Sequence, residues 1–133
     1  MLKGGILHPQ LAHLLASTGH LDMIVVADAG LPLAQNVERV DLAWKESQPR
    51  LVPVLKEVLE NLVVEKAYLA EEIKTKCAPD LYDEICEALG DIPVEYIPHM
   101  ELKTLTTQAR GIIRTGEFIP FPSIVLVAGC AYS

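Results

Sequence analysis

This sequence predicts an α/β fold, a single three-layer αβα domain with a largely parallel sheet. Three observations predict it. Short apolar runs such as "MIVVA" at 23–27 and "IVLVA" at 124–128 are continuous rather than alternating, as in strands covered on both faces. Between them, apolar residues recur every three or four positions, as on amphipathic helices. The 133 residues suffice for one core and contain no linker, repeat or low-complexity tract, so 1–133 is read as one domain.

Leu11, Ala12, Leu14 and Leu15 predict a helix from Pro9 to Thr18, with Gly19 as its left-handed stop. His20 then lies just past a helix end. Met23 to Ala27 predicts the first strand, and Asp28 is the first polar residue beyond its C-terminal end. "AGLP" is turn chemistry, and "VERVDL" at 37–42 alternates as a short second strand. Leu51, Leu55, Val58, Leu59 and Leu62 mark a helix face on which Pro53 is tolerated only in the first turn. "KAYLA" at 66–70 predicts a third strand, followed by Glu71 and Glu72 at a solvated helix start. Leu81, Ile85 and Leu89 predict a helix stopped by Gly90. "PVEYIP" at 93–98 reads as the fourth strand, with His99 immediately after it. A short helix over "ELKTLTTQA", a strand at "GIIRT" and a last buried strand at "SIVLVAG" complete the chain. Buried strands alternating with helices imply mostly parallel pairing, with helices on both faces.

Composition narrows the function. The chain is 50% hydrophobic with a mean hydropathy of +0.28, high for so small a protein, so apolar surface is expected to face a partner subunit. The net charge is −7, and the 11 basic residues are scattered, which removes the electrostatic basis for binding nucleic acid. No apolar run is long enough to cross a bilayer, and Gly-Gly and His-Pro interrupt the first 17 residues before a secretory core forms. A cytoplasmic protein without membrane contact is expected. Cys77, Cys86 and Cys130 lack zinc or redox spacing and read as reduced thiols that fill small apolar spaces. The absence of a Gly-rich phosphate loop, a Ser nucleophile elbow and a CxxC pair disfavours redox cofactors and phosphoryl transfer.

Ligands of open α/β sheets bind at the carboxyl ends of the strands, where this layout puts Asp28 and His99. His20 precedes its strand and belongs at the far end, unless the turn folds back or a neighbouring subunit completes the pocket. An imidazole titrates near ~6.5 and exchanges protons at neutral pH without tuning. A carboxylate beside it orients the ring or takes a substrate hydroxyl. Two other readings stand: Gly19 and "ADAG" as mere punctuation, or a metal held by His20, Asp28 and His99, all acceptable zinc ligands at undiagnostic separations. His13 reads as a helix-surface or interface residue, His8 as a loop residue and Trp44 as a core or interface filler. Arg114 and Glu117 of "RTGE" read as a pair.

With "GHLDMIVVADAGLP", "EIK" at 72–74, "EYIPH" and "RTGEF" in place, the chain resembles the D-ribose pyranase family of sugar mutarotases, which also includes the L-fucose mutarotases. The resemblance runs from "GILHPQLAHLLASTGH" to "VLVAG", and "ADAGLP" is more similar to the ribose branch. It implies an αβα domain assembled into rings, commonly a decamer, with sugar pockets shared between neighbouring subunits and no cofactor or metal. It implies His20 as proton donor and Asp28 and His99 as sugar ligands. The implied activity is ring opening and reclosure of a reducing monosaccharide, interconverting pyranose and furanose forms or anomers. The family also binds its sugar through a Tyr-Ala-Asn segment, where this chain carries Phe121, Pro122 and Ser123. The phenolic hydroxyl is lost, Pro122 has no backbone donor, and Ser123 is shorter than asparagine. Phe121 still offers an apolar face to a pyranose ring. This departure bears on affinity and substrate identity, and it sustains a second reading as a non-catalytic sugar-binding or assembly subunit.

Overall fold

The computed structural model describes residues 1–132. In chain order the elements are α1 Pro9–Ser17, β1 Met23–Ala27, β2 Glu38–Asp41, α2 Leu51–Asn61, β3 Val64–Ala70, α3 Ile73–Lys76, α4 Pro79–Leu89, β4 Val94–Ile97, α5 His99–Thr106, β5 Gly111–Arg114 and β6 Ile124–Ala128. The strands form one six-stranded sheet in the order β2-β5-β1-β6-β3-β4. β2, β5 and β1 run parallel, as do β3 and β4. β6 alone is antiparallel, inserted between β1 and β3. The reason is length: residues 115–123 join β5 to β6 without a helix, and a parallel return needs a crossover of about a dozen residues or more.

The expected three layers form because side chains alternate across the strands. Ile24 and Val26 face one side, against Leu14 of α1, Leu55 of α2 and Ile85 of α4, all fully buried. Val25 and Ala27 face the other, against Leu102 of α5 and Leu31 and Val37 of the β1–β2 connection. A single helix covers that second face, so Met23 and Tyr68 pack there only half-buried.

Local chemistry departs from expectation at several points. α1 ends at Ser17, and the Thr18 hydroxyl donates to the Leu14 carbonyl at 2.8 Å. The left-handed conformation expected at Gly19 falls instead on Leu21, at φ 73°. His8 lies in the loop before α1, as expected, and also caps that helix: its Nδ1 accepts the Leu11 N–H at 3.2 Å. Gly90 does end α4, with φ 56°. Of the cysteines only Cys77 is buried, while Cys86 and Cys130 are exposed, so the apolar-filler reading holds for one of them. Trp44 is 72% exposed and fills no core.

Candidate functional site

Because β1, β5, β3 and β4 are mutually aligned, Asp28, Arg114 and His99 emerge at one edge of the sheet. There the β1–β2 turn, the start of α5 and the β5–β6 connection enclose a cavity of about 490 Å³. Asp28, His99, Lys103, Arg114 and Glu117 are the charged and polar residues of its lining, and Leu31, Phe118 and Phe121 supply much of the apolar remainder. The edge rule therefore unites Asp28 and His99, which lie 71 positions apart.

Asp28 is held by three hydrogen bonds to two residues. Its Oδ1 accepts the Gly30 N–H at 2.9 Å, closing the "ADAG" turn. The Ser123 hydroxyl donates to Oδ2 at 2.7 Å, and the same Ser123 Oγ accepts the Asp28 N–H at 2.9 Å. Ser123 and Pro122 are buried behind the cavity, whereas Phe121 lines it. Phe121 has φ 72°, a left-handed conformation rare for a bulky residue, and its ring meets His99 edge-on with centroids 4.8 Å apart.

His99 is the first residue of α5, and its backbone N–H donates to both Glu72 oxygens at 3.0 and 3.2 Å. The solvated carboxylate after β3 thus caps another helix. Its own N–H and that of His99 hold the Glu72 carboxyl below the usual range. Burial, with Lys103 adding to it, lowers the His99 pKa from its ordinary value, favouring the neutral ring. Sequence reading missed Lys103, although its i+4 spacing from His99 places both on one helix face.

Arg114 and Glu117 do not pair with each other. Arg114 donates through Nε to the Ala29 carbonyl at 3.0 Å and through Nη1 to Asp41 at 3.1 and 3.2 Å, because β2 lies beside β5. Glu117, only 1% exposed, takes Arg50 at 3.2 and 2.9 Å and the Leu51 N–H at 3.3 Å, while its own carbonyl accepts the Ala29 N–H at 2.9 Å. The carboxylate thus fastens the start of α2, and the backbone carbonyl of the same residue ties down the β1–β2 turn at the cavity.

His20 lies elsewhere. His20 precedes β1 and Asp28 follows it, so the two stand beyond opposite ends of a five-residue strand that itself spans about 17 Å. Its Nε2 sits 3.3 Å from Glu65 Oε2, and it does not line the cavity. Within one chain His20 cannot join Asp28 and His99 around a metal, and among the described residues no three His, Cys, Asp or Glu side chains group as a ligand set.

Fold and cavity define the class: an α/β protein that takes a small polar ligand in a cleft at the carboxyl ends of its strands. The chain belongs to the RbsD / FucU transport protein family, which it matches over residues 1–131. It is 46% identical over 133 residues to the D-ribose pyranase of Geobacillus thermodenitrificans, covering 100% of both chains. It is 43% identical over 132 residues to the D-ribose pyranase of Bacillus cytotoxicus, covering 99% of this chain and 100% of that one. The structure of Bacillus subtilis RbsD complexed with D-ribose matches with a TM-score of 0.94 and 39% identity, over 99% of this chain and 100% of that one. The fucose mutarotase of Streptococcus pneumoniae, solved in complex with L-fucose, shares the fold with a TM-score of 0.83 at 20% identity, over 98% of this chain and 100% of that one.

Proposed function

We propose that residues 1–133 act as one sugar-handling domain, a cofactor-independent mutarotase that interconverts pyranose and furanose forms of D-ribose or a related monosaccharide. One observation carries the reading: the cavity joins Asp28, His99 and Phe121 in a chain collinear over its whole length with D-ribose pyranases. Asp28 accepts a hydrogen bond from a sugar hydroxyl, neutral His99 exchanges one with another, and the Phe121 ring lies against the apolar face of the sugar. Pro122 and Ser123 set that geometry from behind.

His20 of a second copy supplies the acid. It protonates the ring oxygen as the bond from that oxygen to the anomeric carbon breaks; the anomeric hydroxyl gives its proton to water and becomes the carbonyl. Reclosure on either of two hydroxyls reverses these transfers and yields the other ring form. General acid action contributes about 10²- to 10⁴-fold to such a step. Two features favour a shared site in a ring-shaped homo-oligomer, of five or ten subunits. Exposed Leu21 and Val63 flank the His20 end of the chain, and exposed Phe118 flanks the cavity. The second face of the sheet, with α5 as its single helix, leaves Met23 and Tyr68 half-covered. Three free cysteines favour a cytoplasmic setting.

Exchange NMR on D-ribose tests the reading: pyranose–furanose exchange should far exceed that of buffer, and His20→Ala should abolish it in a folded protein. Mixing inactive His20→Ala with inactive Asp28→Asn should restore exchange, since some pockets then receive both native residues. Binding without accelerated exchange would replace the reading with the sugar-binding or assembly subunit, which the departure at 121–123 alone favours.

A further inference from the structure

The ring of His20 is held by a carboxylate that its sequence neighbourhood does not announce. His20 Nε2 lies 3.3 Å from Oε2 of Glu65, 45 positions away. Three backbone features build this contact. Pairing between β3 and β6 shifts register where Val64 faces Ala128 and Lys66 faces Val127, so Glu65 is the extra residue of a bulge. A bulge bends its strand and re-aims a side chain. Next, Leu21 takes its left-handed conformation directly after His20, and its N–H donates to the Ala128 carbonyl at 2.9 Å. The Gly19 N–H donates to Asp22 Oδ2 at 2.8 Å and closes the same turn. Finally, the Gly129 N–H donates to the Val63 carbonyl at 2.7 Å, an approach that a larger residue would crowd. A Cβ there would sit 3.0 Å from Val63 Cγ1 and 3.4 Å from Glu65 Cβ. The end of β6 thus braces both the histidine turn and the glutamate bulge.

Stability does not account for the arrangement. The two side chains are 51% and 44% exposed, and an ion pair so open to water adds little to folding. A left-handed leucine and a bulge both work against regular structure, and such features gather where a side chain must be aimed.

We infer that Glu65 is the positioning residue for His20: its carboxylate accepts the Nε2–H, so Nδ1 is the nitrogen that exchanges the proton with the sugar. The inference rests on the proposed role of His20 and adds the atom through which it acts. Protonated His20 gives its Nδ1 proton to the ring oxygen as the bond to the anomeric carbon breaks, and the neutral ring left behind is the Nε2–H tautomer that Glu65 stabilises. Reclosure returns a proton to Nδ1. Holding the other ring nitrogen is how a carboxylate sets the tautomer and direction of a catalytic imidazole.

Nitrogen NMR of the histidine-labelled full chain, read above the imidazole titration range, should find neutral His20 as the Nε2–H tautomer, and Glu65→Ala should turn it into a tautomer mixture. With D-ribose, Glu65→Ala should lower kcat about tenfold, part of the ~10²–10⁴ that general acid catalysis supplies, with KM unchanged. Glu65→Gln, whose amide oxygen still accepts the Nε2–H, should recover most of that loss. An Nδ1–H tautomer in the unaltered protein would overturn the inference. So would Glu65→Ala turning over at the full rate while His20→Ala is inactive. If His20→Ala itself exchanges ribose normally, the proposed role of His20 fails instead, and the tautomer measurement alone decides whether Glu65 holds the ring.

Discussion

Ser123 grips Asp28 at two points: its Oγ accepts the Asp28 N–H at 2.9 Å and donates to Oδ2 at 2.7 Å. The serine is 1% exposed, so its hydroxyl serves the carboxylate and not the open cavity. Asp28, the proposed sugar ligand, is thus fixed by a residue that lies outside the cavity.

Ser123→Ala leaves the Asp28 N–H without that acceptor and frees one carboxylate oxygen. An unsatisfied buried donor costs about 1–3 kcal/mol, which a urea unfolding curve will register. In ribose exchange, KM should rise about tenfold with a smaller change in kcat, because binding geometry and not the acid is disturbed. Unchanged stability and KM would show that the double contact has no consequence.

Phe121→Ala removes the edge-on contact with His99 and opens the ring to water. An aromatic pair of this kind contributes about 0.5–1.5 kcal/mol, so stability in urea should fall by about that much, and ribose affinity should fall with the lost ring face. Burial is the main reason that the His99 pKa is low, so the variant should titrate closer to an ordinary imidazole, as proton NMR of the ring will record.

The pH dependence follows from the same depression. Between the lowered pKa of His99 in the folded chain and its unfolded value near ~6.5, the unfolded chain binds more protons, so stability rises with pH. This contribution is complete above the unfolded value and is lost as pH falls through the folded one. Ribose affinity should follow the neutral ring, staying flat at neutral pH and persisting somewhat below ~6.5 before it drops. Calorimetric titrations across this range will show it, and His99→Gln should remove the acid limb.

Gly116→Ala should destabilise the fold by about 1–3 kcal/mol, the range for overpacking. A Cβ at that position would lie 2.7 Å from Gln48 N, 2.8 Å from Lys45 O and 2.9 Å from Gln48 O, all backbone atoms that cannot swing aside. The displaced 45–49 segment leads straight into Arg50, so the Arg50–Glu117 contact should loosen with it. Gly30→Ala is the control: the nearest contact for its Cβ is Asp28 Oδ1 at an ordinary 3.7 Å, and urea midpoints should differ accordingly.

Much of this protein is legible in one dimension because its causes act within a few residues. Continuous apolar runs locate β1 and β6, helical spacing locates α2 and α4, and Gly90 ends α4 with a positive φ that glycine adopts freely. The position of Asp28 and His99 just past parallel strands placed both at one cavity, since parallel strands end together. The tertiary structure alone decided what depends on which distant segments become neighbours. The short 115–123 connection turned β6 antiparallel, and β2 beside β5 gave Arg114 to Asp41 and left Glu117 for Arg50. The bulge in β3 gave His20 its glutamate. Hydrogen bonds reach only about 3 Å, so a long-range partner is defined by which strands lie side by side, and no local pattern of residues encodes that order.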